Sequence, residues 1–220
     1  MRGLAGFALC AVILLALASP AGAQQAKPRS GKPASPSPAP NPYAQRFATL
    51  CAACHGANGR SDMPNTPALS GQHMFYAITQ LFLFREGRRN NKAMTAVAKG
   101  MSDADMQGFA NVIGALPPVP APPPATPPDP ARMKKGAELA RQHKCVFCHG
   151  DNFAGGQQVP RIAGQREDYL QLSLRGFKSG QRPGYTMAMG EALSQVTPDE
   201  LDTLAYYAAR FPGAVAAEGK

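Results

Sequence analysis

Past its opening segment the sequence has no apolar run long enough to cross a bilayer, which excludes later membrane-spanning helices. No stretch alternates apolar and polar side chains with a period of two, so a sheet-based architecture is excluded as well. Glycine-rich phosphate loops, nucleophile motifs and a second cluster of metal-ligating side chains are all missing, and the common enzyme chemistries go with them. Basic residues outnumber acidic ones, 23 to 14, for a formal charge of +9. Yet no motif interleaves basic and aromatic residues, which argues against nucleic acid as a partner. A mildly positive face suits an acidic protein partner or peripheral association with a membrane surface.

What is present begins with the first residues. Arg2 precedes an almost unbroken apolar run from Leu4 to Ala18, and Ala21-Gly22-Ala23 supplies the small residues of a cleavage site. Residues 1–23 read as a secretory signal peptide, so the protein is expected in the periplasm. An uncleaved anchor is the competing reading, disfavoured by the short run. Cleavage removes Cys10 and leaves two pairs, Cys51/Cys54 and Cys145/Cys148.

Two proline-rich stretches divide the rest. Residues 24–42 form a Pro/Ser-rich tether, and residues 117–130 (PPVPAPPPATPPDP) form a semi-rigid linker. The flanking segments, 43–116 and 131–214, repeat each other, and 215–220 is a tail. CAACHG at Cys51–Gly56 recurs as CVFCHG at Cys145–Gly150. PALSGQ at Pro67–Gln72 recurs as PRIAGQ at Pro160–Gln165. Tyr76 and Phe84 recur as Tyr169 and Phe177, and Met94 as Met189. Two duplicated domains explain this better than a solenoid. Each copy reads as three main helices. The first runs into the cysteine pair, over Tyr43 to Cys54 with Asn41 as N-cap, and over Ala131 to Cys148. The middle helix buries Ala77, Leu81 and Phe84, or Leu170, Leu174 and Phe177. The last opens at Ser102 or Thr197 with acids in its first turn. The fold class is all-α, two tandem domains.

Cys-x-x-Cys-His is the attachment signature of c-type haem. Two thiols one helical turn apart reach the two vinyl groups of one porphyrin, and the adjacent histidine presents its imidazole to iron. A lone Cys-x-x-Cys could be a redox dithiol, half a zinc site, or disulfide partners. Two copies, each followed by histidine, favour two covalently bound haem c groups, on Cys51, Cys54, Cys145 and Cys148, with His55 and His149 as axial ligands. Met94 and Met189 are the candidate sixth ligands, in loops after the middle helix and the same distance before Met101 and Val196. A thioether suits low-spin iron and raises the reduction potential. Met187 rivals Met189, but its repeat counterpart is Lys92. His73 and His143 do not occupy equivalent positions, which disfavours paired histidines. Pro67 and Pro160 are candidates to accept the other ring N–H of each proximal histidine, against a reading as loop punctuation. With methionine on both irons no coordination position is open to a substrate. The chain reads as an electron carrier, not an enzyme.

These motifs, with FREGRR and FKSGQR, the methionines before SDADM and TPDEL, and LAYYA, resemble the cytochrome c4 family over nearly all of Tyr43 to Phe211. The resemblance implies two class I cytochrome c domains related by pseudo-two-fold symmetry, with Met/His irons. It implies periplasmic electron transfer in a respiratory chain, between a donor such as a quinol–cytochrome c oxidoreductase and a haem–copper terminal oxidase. The alternative is the electron-accepting subunit of a periplasmic dehydrogenase that oxidises sulfur compounds or alcohols. The first domain departs from the pattern. Pro42 stands where the second has the helix-crossing Gly136, and Val112 where it has Tyr207, which leaves open how its first and last helices pack.

One asymmetry suggests a partner. Met74, Ile78 and Phe82 form a stripe on the first middle helix with Phe75 beside it, where the second domain has Glu167, Asp168, Gln171 and Arg175. If exposed, Met74, Phe75, Ile78 and Phe82 are an apolar docking face. The alternative is that they pack against the linker or the other domain.

Overall fold

A computed structural model of the chain describes residues 41–119, 121–122, 126–184 and 186–212. The expected signal peptide, the tether up to residue 40 and the tail lie outside the described residues. The order of helices is α1 (Pro42–Leu50), α2 (Ala52–His55), α3 (Met74–Arg85), α4 (Lys92–Ala98), α5 (Asp103–Ala115), α6 (Pro130–Gln142), α7 (Cys145–His149), α8 (Glu167–Lys178), α9 (Ala188–Ala192) and α10 (Pro198–Arg210). Among the described residues the only β pairing is an isolated bridge between Gly156 and Val159. No described helix is long and apolar enough to cross a membrane.

The caps explain where the helices begin. Asn41 Oδ1 accepts from Tyr43 N, with Pro42 at N1 where no N–H is needed. Asp129 caps α6 in the same way, so Pro130 opens that helix instead of closing the linker. Ser102 and Thr197 each form a capping box, with Asp105 and Glu200 respectively. The long first helix expected in each copy is broken in two. The first copy breaks at Cys51, and the second at Lys144, whose φ of 58° lies in the left-handed region and turns the chain between α6 and α7.

Each copy has its own core. Phe47, Ala77, Leu81, Phe84, Met106, Phe109 and Ile113 are buried in the first, and Leu139, Leu170, Leu193, Val196, Leu201 and Leu204 in the second. The first and last helices cross closely in both, by opposite devices. In the second copy a Cβ on Gly136 would lie 2.4 Å from Tyr207 Cβ, so the glycine on the first helix admits the aromatic on the last. In the first copy the aromatic is Tyr43 on α1, and the glycine is Gly108 on α5. A Cβ there would meet the tyrosine ring at 2.3 Å. Knob and hole have changed helices, which is how the first domain closes without Gly136 and Tyr207 counterparts.

The expected docking face is not an open patch. Met74, Ile78 and Phe82 are half-buried against the core of their own domain. Met74 lies over Gly114 of α5, and the Arg85 guanidinium covers the Phe82 ring at 5.7 Å. Phe75 alone is exposed, at 52%. The corresponding residues of α8 are tied into ion pairs and not simply solvated: Glu167 to Arg210, Arg175 to Asp202, and Asp168 to Arg166.

The two copies meet in one compact unit. The linker is seated on both. Ser70 Oγ donates to Val119 O at 2.8 Å, and Ala121 N donates to Gly164 O at 2.8 Å. Gly71 needs its φ of +66°, and a Cβ there would run into Pro118 at 2.7 Å. His73 Nε2 lies 2.8 Å from Ala154 O, and Asn65 N donates to Asp168 Oδ2 at 3.0 Å. Both join the first copy to the second.

Candidate functional site

Short helices α2 and α7 place each Cys-x-x-Cys-His on one turn, with Cys51 and Cys145 half-buried and Cys54 and Cys148 exposed. His55 and His149 are buried. The loops that follow are folded back on them by matching bonds. Ser61 N donates to His55 O at 2.8 Å, and Gly155 N donates to His149 O at 2.9 Å. These loops carry Pro67 and Pro160 to the rings. His55 Nδ1 lies 2.9 Å from Pro67 O, and His149 Nδ1 lies 3.0 Å from Pro160 O. A carbonyl can only accept, so each Nδ1 carries the proton. Each Nε2 then keeps its lone pair in the neutral ring.

Electrostatics favour that neutral form. Burial pushes both imidazoles down from the ordinary histidine range, only partly opposed by the proline carbonyls. Burial pushes the Cys51 thiol up to about 11 and raises Cys145 too. A redox dithiol needs a depressed thiol, and these are the reverse.

Met94 and Met189 are not in loops. They sit on α4 and α9, and Asn91 Oδ1 caps the first of these by accepting from Met94 N at 2.9 Å. Each packs partly buried on the core cluster that Cys51 or Cys145 of its own copy also touches. Met187 caps the start of α9 and is 77% exposed. Met101 and Met106 are buried core residues. His73 spans to the second copy, and His143 ends α6 beside Glu200.

Six polar residues at the contact between copies had no role assigned from sequence. Arg89 donates to Tyr169 OH at 2.8 Å. Arg182 donates to Tyr76 OH at 3.3 Å and Tyr169 OH at 3.2 Å. Each guanidinium also stacks on a ring of its own copy, Phe84 at 4.4 Å and Phe177 at 4.5 Å. Burial pushes the Tyr169 phenol up, but the two guanidinium groups outweigh it and pull it down. Burial and its neighbour Tyr169 push Tyr76 up. Gln72 and Gln165 are buried and bond across the contact. All of these recur in both copies, and that recurrence is the signal that marks them. Two half-buried guanidinium groups bonded to phenols suit carboxylates such as haem propionates. Together with the buried histidines and paired thiols, the residues fit two haem c groups.

The comparisons agree. The family model for cytochrome c matches residues 44–115 and 133–209, the greater part of the chain in two copies. Cytochrome c4 of Thiocapsa roseopersicina is 30% identical over 72% of this chain and 85% of its own. The thiosulfate dehydrogenase electron acceptor of Stutzerimonas stutzeri is 32% identical over 73% of this chain and 78% of its own. The crystal structure of reduced cytochrome c4 from Pseudomonas stutzeri superposes with a TM-score of 0.67 at 27% identity, covering 77% of this chain and 96% of that one. With two cytochrome c domains in tandem and relatives of this kind along most of its length, the chain belongs to the cytochrome c4 family of dihaem electron-transfer cytochromes, which carry two covalently bound haem c groups.

Proposed function

We infer that Cys51 and Cys54 hold one haem by thioethers and Cys145 and Cys148 the other. His55 and His149 would bind iron through Nε2, and Met94 and Met189 would supply the remaining protein ligands. One observation carries this reading: both buried imidazoles have Nδ1 committed to a proline carbonyl, which leaves Nε2 unprotonated for a metal. Bound haem supplies a one-electron couple outside the protein's own chemistry. The residues then fix the ring tautomer, exclude water from the imidazoles and set the donor strength of each ligand. Arg89 and Arg182, with Tyr76 and Tyr169, would hold the propionates.

The protein works in the periplasm and passes electrons to a haem–copper terminal oxidase. A second reading is favoured by the relative that accepts electrons from thiosulfate dehydrogenase. There the chain would be the acceptor half of such an enzyme. Stopped-flow mixing separates the two. Reduced protein added to oxidase-containing membranes should be reoxidised within seconds. If membranes leave it reduced while thiosulfate dehydrogenase rapidly reduces the oxidised form, the second reading replaces the first.

A further inference from the structure

The peptide unit that receives each proximal imidazole is gripped from the other half of the molecule. Pro67 O, the acceptor for His55 Nδ1, belongs to the Pro67–Ala68 peptide. The N–H of that same peptide donates to Gln165 Oε1 at 2.8 Å, and Gln165 Nε2 donates back to Ala68 O at 2.9 Å. The second copy mirrors the arrangement. Pro160 O accepts from His149 Nδ1, the N–H of the Pro160–Arg161 peptide donates to Gln72 Oε1 at 3.0 Å, and Gln72 Nε2 donates to Arg161 O at 3.2 Å. Each glutamine Oε1 also accepts from the next backbone N–H of its own chain segment, His73 N or Arg166 N. Both side chains are 7% exposed, so water does not compete for these bonds.

Resting on the ligand roles given above to His55 and His149, we propose that Gln72 and Gln165 are positioning residues that tune the haem of the opposite domain. A peptide whose N–H donates a hydrogen bond carries more electron density on its carbonyl oxygen. Bonds in such a chain strengthen one another by roughly 10–30% each. Gln165 therefore makes Pro67 O a better acceptor for the His55 ring proton. The imidazole gains anionic character, becomes a stronger donor to iron and favours the ferric state. Gln72 does the same for His149. The effect crosses the domain boundary in both directions, so loosening the contact raises both potentials together.

Simple adhesion between domains makes no such crossed pattern. Gln165→Met keeps the volume and loses the polar atoms. In the holoprotein it should raise the first-domain haem's reduced-to-oxidised ratio at fixed ambient potential by roughly threefold. The second-domain haem should stay close to wild type. Gln72→Met should give the reverse. The readout is a redox titration followed by NMR, in which haem methyl resonances assign each potential to its domain. Gln165→Glu retains an acceptor and should move the first haem in the opposite sense. Shifts in the glutamine's own domain, equal shifts in both, or none would overturn the proposal. Should the methionine variants come apart, hydrogen exchange on the wild type still decides. The Ala68 and Arg161 amides should exchange slowly, and rapid exchange at either overturns it. Haem content by pyridine haemochrome keeps the two readings apart: with both haems bound and no crossed shift, this proposal alone falls, whereas a wild type without haem removes the ligand assignment itself.

Discussion

At Met94 and Met189 the choice among nine methionines turns on where each side chain rests. Both lie on the core surface shared with the cysteines of their own copy, while Met187 points to solvent and Met101 and Met106 fill the core. Met189→Ala should remove roughly half of the near-infrared sulfur-to-iron band of the oxidised protein, as loss of one of two Met/His irons requires. Met187→Ala should leave the band whole. In the sequence it is the repeat that narrows the choice, because two copies single out one position where one copy leaves several. Asp105 is a contrary case. It completes the Ser102 capping box and also receives Arg46 and the Tyr43 hydroxyl from α1. The Arg46 hydrogen bond first, then those from Ser102, hold its carboxyl far below the usual carboxylate range. A depressed folded value means stability that is present above the unfolded pKa and lost as pH falls through the folded one. Asp105→Asn should therefore lower the melting temperature at neutral pH. In a pH series of melts the deficit should shrink below about pH 4, where the unfolded carboxyl protonates. The cap was readable from local spacing; the ties to α1 were not, since they depend on how distant helices pack.

Helix starts follow from local chemistry, and Asn41, Ser102 and Thr197 each cap the helix that their sequence announces. Helix crossings do not. Gly136 faces Tyr207 in the second domain, but Gly108 faces Tyr43 in the first, on the opposite pair of helices. Comparing repeat positions finds only that the second domain's pair is missing from the first. Seeing the replacement requires knowing which faces meet. Gly136→Ala forces a methyl against the Tyr207 Cβ and should cost about 1–3 kcal/mol by overpacking. Gly100 has nothing within 4 Å of its Cβ position. Gly100→Ala should change stability by no more than about 0.5 kcal/mol. Denaturant titration of the two variants makes the comparison, and equal stabilities would contradict the close crossing. The Met74, Ile78 and Phe82 stripe teaches the same lesson. Its apolar character was legible, but Gly114 of the distant helix α5 closes against Met74 and the Arg85 guanidinium lies over Phe82, contacts that helical spacing alone does not reveal.

Across the whole molecule, duplication was legible and the contact between copies was not, because it joins residues that share no periodicity. Arg89 and Arg182 reach phenols of the opposite copy, and Gln72 and Gln165 reach opposite backbones. Replacing both arginines by glutamine should leave two haems attached but separate the melting of the domains into two calorimetric transitions. A single transition at the wild-type temperature would mean the cluster does not join them. Membership of the family requires each copy to carry its own covalent haem. Intact mass spectrometry of the protein, purified after export from a host that matures c-type cytochromes, reads this directly. The expected mass is that of the polypeptide plus two haems, falling to one haem when Cys145 and Cys148 are both replaced by alanine. A polypeptide mass with no haem and two disulfides would contradict it.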